Sequence, residues 1–209
     1  MKLEKLVVAA ALLLGPHLAH AASTVFSDDF NSYVPDQYSW IPPASSGWTV
    51  SDGTIDLHGA GGEFDILPGN GSYVDLDGST LDSGLLSKNV NLMAGTTYTL
   101  SFDLAGSQRG NRPETVNVNF GETAEAYTLN VTDPFKTYAL NFTPDSTGSY
   151  SLSYQNVGGD NRGAFLDNVS VTAVPEPATY AMLLGGLGLF GFLAQRKKLR
   201  THGITSFPS

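Results

Sequence analysis

Residues Thr97–Gly106 read TYTLSFDLAG, and the alternation inside that stretch decides the fold. Tyr98, Leu100, Phe102 and Leu104 fall on one face of an extended chain, and Thr97, Thr99, Ser101 and Asp103 fall on the other. Successive side chains of a strand point to opposite faces, so this period of two marks a strand half buried against a core. The rhythm continues outward. TVNVNFG turns Val116, Val118 and Phe120 inward with asparagines between them, and AYTLNV, FKTYALNFT, GSYSLSYQN and GAFLDNVSVT repeat the pattern. Turn-forming stretches (MAG, GSQRGNRPE, TDP, TPDSTG, VGGDNRG) separate these segments. No helical stripe runs from Val25 to Thr172. Many short strands at about ten-residue spacing predict an all-β, antiparallel sandwich or barrel.

Length and charge bound the function. The chain has 209 residues, room for one sizeable domain plus appendages, and a net charge of −9. Between Ser23 and Val174 stand 18 acidic and 5 basic residues, a net −13. Such a body repels phosphate backbones, which excludes nucleic acid as a partner, and metal cations are its natural counter-ions. Cysteine is absent, which removes disulfides, thiolate catalysis and thiolate-held metals. Of four histidines, only His58 lies in the body. A Ser-His-Asp triad would have to use it, but in TIDLHGAGG it reads as an exposed strand-end residue before a glycine turn.

The two ends read as addresses. Residues 1–21 form a signal peptide: Lys2 and Lys5, an apolar run from Leu6 to Leu14, Pro16, then Ala19-His20-Ala21 as the cleavage site. Ala178 to Ala194 is a run of 17 uncharged residues, predicted as a transmembrane helix of roughly 26 Å. Arg196, Lys197, Lys198 and Arg200 follow it and belong on the cytoplasmic side, leaving the body outside. Pro175-Glu176-Pro177 sets an extended, helix-resistant stretch at the boundary, suited to a protease cleft.

Residues 174–200, with the Pro-Glu-Pro triplet, apolar run and basic end in order, resemble the PEP-CTERM sorting signal of Gram-negative, exopolysaccharide-producing bacteria. The resemblance implies an exosortase as partner after export through the Sec machinery, an inner-membrane stage, and delivery to the cell surface or extracellular matrix. The extension THGITSFPS beyond the basic cluster departs from the usual pattern. The expected domains are the signal peptide (1–21), the body (22–174), the sorting signal (175–200) and a tail (201–209).

Within the body, FSDDFNS, LSKNVNLMAGTTYTLSFDLAGSQRG and GAFLDNVSVTAV resemble the opening, central and closing strands of galactose-binding-like jelly rolls, the fold of many carbohydrate-binding modules. The resemblance implies a β-sandwich jelly roll and a structural calcium ion joining first strand to last, with Asp29 and Asp167 at the matching positions. Ordinary edge aspartates are the alternative. DLDGST (Asp75–Thr80) lacks the later ligands of an EF-hand loop and reads as a turn after a strand.

Sugar binding calls for an aromatic platform beside hydrogen-bonding groups. YVPDQYSWIPPASSGW offers Tyr33, Tyr38, Trp40 and Trp48; Trp40 reads as the exposed candidate, while Trp48 opens WTV and reads also as core. Arg109, Arg112 and Arg162 stand in Gly/Asn-rich turns, to grip acidic sugars or to pair with the surplus carboxylates. Nothing singles out a catalytic pair of acids. The expectation is a non-catalytic envelope or biofilm-matrix protein associating with extracellular polysaccharide. The rivals are a purely structural matrix protein and a secreted glycan-active enzyme.

Overall fold

The computed structural model describes residues 22–175, 185–190 and 192. The body, Ser23–Val174, is one compact unit. Its strands are β1 (Ser23–Asp28), β2 (Trp48–Ser51), β3 (Asp56–Gly59), β4 (Ser72–Asp75), β5 (Leu85–Leu92) and β6 (Tyr98–Ala105). They continue with β7 (Glu114–Phe120), β8 (Thr123–Leu129), β9 (Lys136–Phe142), β10 (Gly148–Asn156) and β11 (Phe165–Ala173). One sheet has the order β3-β4-β11-β6-β9, with β1 also on β11, and the other runs β2-β5-β10-β7-β8. Every ladder between these strands is antiparallel. The fold is an all-β antiparallel sandwich, one of the two architectures the alternation predicts, and the jelly roll that the family resemblance implies.

The inward rows meet in one core. Leu100, Phe102 and Leu104 of β6 pack with Val116, Val118 and Phe120 of β7, Leu152 and Tyr154 of β10 and Leu166 of β11, all fully buried. Burying a large apolar side chain contributes about 1.5–3 kcal/mol, so these rows carry the stability of a chain with no disulfide. A second, smaller cluster lies outside this core: Tyr73, Ala105 and Phe165, with Ile66, Leu67 and Phe135 packed on it. Residues 60–71, between β3 and β4, supply Ile66 and Leu67 to that cover. The excursion leaves β3 at Gly59, whose φ of 128° suits glycine and where an added Cβ would run into the Gly71 carbonyl.

Two expectations are corrected. Trp40 is 3% exposed and His58 2% exposed, where the sequence suggested open positions. Trp40 is drawn in because its N–H donates to the Ile55 carbonyl at 2.7 Å, fastening the β1–β2 loop to the approach to β3. His58 is covered because Tyr38, Phe64, Tyr73 and Phe165 crowd around its ring. Trp48 opens β2 and is core.

The signal peptide (1–21) and Glu176, Pro177, Arg196, Lys197 and Lys198 of the sorting signal lie outside the described residues. Of the predicted anchor, residues 185–190 and 192 are helical. Among the described residues no helix is long and apolar enough to cross a membrane.

Candidate functional site

The first site arises from how β11 is shared. β6 pairs along one edge of β11, from Phe165 to Ala173. On the other edge β1 pairs with Val169–Ala173, and β4 pairs only with Phe165 and Leu166. Asp167 and Asn168 fall in the gap between those partners. Here the β6 register shifts between Asp167 and Ser170, and Asn168 adopts a left-handed φ of 51°. A bulge of this kind re-aims side chains, and asparagine tolerates the conformation better than most residues.

Acids gather at the bulge. The Asn168 amide donates to Asp103 Oδ2 at 2.9 Å and Asp167 Oδ2 at 3.3 Å, and its backbone N–H donates to Asp167 Oδ1 at 2.7 Å. The Asp167 carboxyl is 3% exposed and pushed up to about 7. Burial is the main cause, opposed by the Asn168 N–H and reinforced by the charges of Asp103, Asp29 and Asp28. Beside it opens a concavity of about 510 Å³ lined by Ser27, Asp28, Asp29, Ser32, Asn168 and Ser170. Asp28 is already engaged: Oδ1 accepts from the Phe30 N–H at 2.9 Å, and Oδ2 from Tyr33 Oη at 2.8 Å and Trp48 Nε1 at 2.9 Å. It thereby ties the end of β1 to β2 and to the aromatic core.

Asp29 and Asp167, named by the sequence, thus meet electrostatically at one place. Asp28 and Asp103 join them unannounced. Asp103 stands opposite Asp167 in the β6–β11 ladder, a pairing that only strand register reveals. The donor chemistry fits a hard cation, since carboxylate, hydroxyl and amide oxygens surround the concavity and excess negative charge needs an offset. The ligand count is incomplete: among the described residues no three acidic or histidine side chains converge as a metal set. Backbone and hydroxyl oxygens would have to complete the shell around Asp29 and Asp167.

The arginines divide. Arg109 pairs with the fully buried Asp75 and lies over the Phe165 ring, 5.4 Å from its centroid. It is a structural cation, matching the pairing alternative rather than an open grip on acidic sugars. Asp75 also accepts the Asp77 and Gly163 N–H groups at 3.1 Å each. Arg162 is exposed, on the β10–β11 loop, where its backbone N–H donates to Asp77 Oδ2 at 3.2 Å. Trp40 packs edge-on to Phe30, with centroids 6.3 Å apart, and against Tyr33 at 5.1 Å. Neither Trp40 nor Trp48 presents a face to solvent.

Fold and tail together define an exported, surface-directed jelly-roll protein: residues 173–198 match the PEP-CTERM protein-sorting motif. Residues 35–172 match the family described as Protein of unknown function (DUF642), and the chain belongs to that family. Among proteins with curated descriptions none matches this sequence. Among solved structures, the CBM22-1 xylan-binding domain of Paenibacillus barcinonensis Xyn10C is similar at 14% identity, over 76% of this chain and 99% of that one, with a TM-score of 0.47. The K3 cleaved adhesin domain of Lys-gingipain from Porphyromonas gingivalis is similar at 15% identity, over 73% and 99%, with a TM-score of 0.47. The enzymatically active domain of bacteriophage CBA120 tailspike protein 4 matches at 17% identity and a TM-score of 0.44. That match spans 62% of this chain but only 20% of the tailspike domain.

Proposed function

We propose that this protein is an exosortase substrate of the bacterial envelope or biofilm matrix, with a non-catalytic body that associates with extracellular polysaccharide. The observation that carries the reading is the sorting motif joined directly to the last strand. Val174 still donates its N–H to the Thr97 carbonyl at 2.8 Å, and the Pro-Glu-Pro triplet begins at the next residue. Folded body and processing site are therefore contiguous. A cleavable signal peptide over 1–21 starts export, and an apolar helix over 178–194 holds the chain in the inner membrane until processing. A Ca²⁺ ion at Asp29 and Asp167 would be held by their carboxylates and would offset the acids at the β11 bulge. The polysaccharide association follows from the resemblance of FSDDFNS, LSKNVNLMAGTTYTLSFDLAGSQRG and GAFLDNVSVTAV to the strands of carbohydrate-binding jelly rolls.

The sorting part is tested by replacing Pro175-Glu176-Pro177 with alanines and fractionating the producing cells. The expected result is accumulation of the variant in the inner membrane while the wild type reaches the surface or medium. Identical distribution of the two proteins would overturn it.

A further inference from the structure

Tyr38 is an aromatic loop residue that the fold holds open. Its neighbours are pinned to β3: Gln37 and Leu57 exchange backbone hydrogen bonds at 2.9 Å, and the Ser39 N–H donates to Asp56 Oδ1 at 2.7 Å. Asp36 and Ser39, flanking this stretch, both adopt positive φ, 60° and 48°. Non-glycine residues in that region carry strain, and strain of this kind concentrates at functional positions. The outcome is a fixed ring, 51% exposed, edge-to-face with the 41% exposed ring of Phe64 at 5.6 Å.

A second observation points to a ligand at the same place. The imidazole of His58 packs against both rings, at 6.4 Å from Tyr38 and 6.2 Å from Phe64. Its side chain is 3% exposed, and neither ring nitrogen has a hydrogen-bond partner. Nε2 stands 3.7 Å from Asp75 Oδ2, beyond hydrogen-bond range. Asp36 Oδ1 is likewise buried and unpartnered. Buried polar groups are rarely left unsatisfied, and those that are call for a bound water or ligand group. The Tyr38 hydroxyl is raised above its ordinary range by desolvation, then by the charges of Glu63, Asp36 and Asp56. The charges of these three carboxylates therefore act on the Tyr38 hydroxyl.

We propose that Tyr38 and Phe64, with His58 and the carboxylates of Asp36 and Glu63, form a subsite for an uncharged sugar residue of a polysaccharide. The ring faces suit the C–H face of a pyranose, and the carboxylates accept its hydroxyls. The same carboxylates repel uronate and sulfate, so the class is neutral glycan. This rests on the reading of the body as a polysaccharide-associating domain.

The test is native affinity electrophoresis of the full chain in mild detergent, through gels containing xylan, a neutral β-glucan or polygalacturonate. Wild type, Tyr38→Ala, Tyr38→Trp, Phe64→Ala and Leu81→Ala are compared, Leu81 being an exposed apolar residue on another loop. The expected result is retardation in at least one neutral gel, weakened roughly tenfold in apparent Kd by Tyr38→Ala and by Phe64→Ala and kept by Leu81→Ala and Tyr38→Trp. Retardation of the wild type that both ring variants keep in full overturns this subsite and leaves the association standing. Retardation by polygalacturonate alone overturns the neutral class. No retardation of the wild type in any gel overturns the association itself.

Discussion

Glu114, the first residue of β7, is 6% exposed and accepts one hydrogen bond, from the Asn156 amide at 3.1 Å. Burial raises its pKa above the ordinary 4.5, the Asn156 bond opposes this, and Asp160, Asp77 and Asp75 add to the rise. The native state therefore holds this proton more tightly than the unfolded chain does. Below the ordinary pKa both states are protonated and the group contributes nothing. As pH climbs from 4.5 through the raised value, unfolding releases a proton and the native state loses ground. Glu114→Gln keeps a carbonyl acceptor for Asn156 and removes the charge. Its urea midpoint should exceed that of the wild type at neutral pH, with the gap closing toward pH about 4.5. A gap independent of pH would contradict the assignment. At this scale the sequence was legible where alternation alone decides, as at Leu100 or Val118. It was not legible at Tyr38 and Trp40. Both are aromatic residues of one loop, and the choice between open and buried rests on hydrogen bonds to the neighbourhood of β3, far along the chain.

β11 carries the site at the scale of elements. Its closing position was readable from GAFLDNVSVT, with Phe165 and Leu166 buried as that pattern suggests. The bulge at Asn168 and the division of one edge between β1 and β4 were not readable, because they depend on three other strands. The consequence is a buried acid facing acids from β6 and the end of β1. If Ca²⁺ occupies this place, only the folded state assembles it, and stability rises by about 2.7 kcal/mol at a hundredfold excess over Kd. Millimolar calcium should then raise the melting temperature of the Ser23–Val174 body over that in chelator, and Asp167→Ala should abolish the difference. Superimposable curves for the wild type would leave Asp29 and Asp167 as edge acids. The excursion between β3 and β4 is the other element that sequence alone left unread: its apolar residues Ile66 and Leu67 cover an outer cluster rather than the main core.

For the whole molecule, the register Ser23↔Ala173 brings the start and end of the body side by side on one sheet. The proposed export cleavage after Ala21 leaves one residue before β1, and the sorting motif follows β11 after Val174. Both proposed processing sites therefore border completed strands, and a protease acting deeper would have to strip β1 or β11 from the sheet. Removal of the tail would leave the two sheets and their shared core intact, so the body is expected to outlast its address as a folded unit. The central claim is that the tail is a sorting signal removed after use. Intact-mass analysis of the mature extracellular protein tests it most directly. The account predicts a chain beginning at Ala22, ending at or beside Pro175-Glu176-Pro177 and lacking residues 178–209; a recovered chain that still carries Arg196 to Ser209 would contradict it.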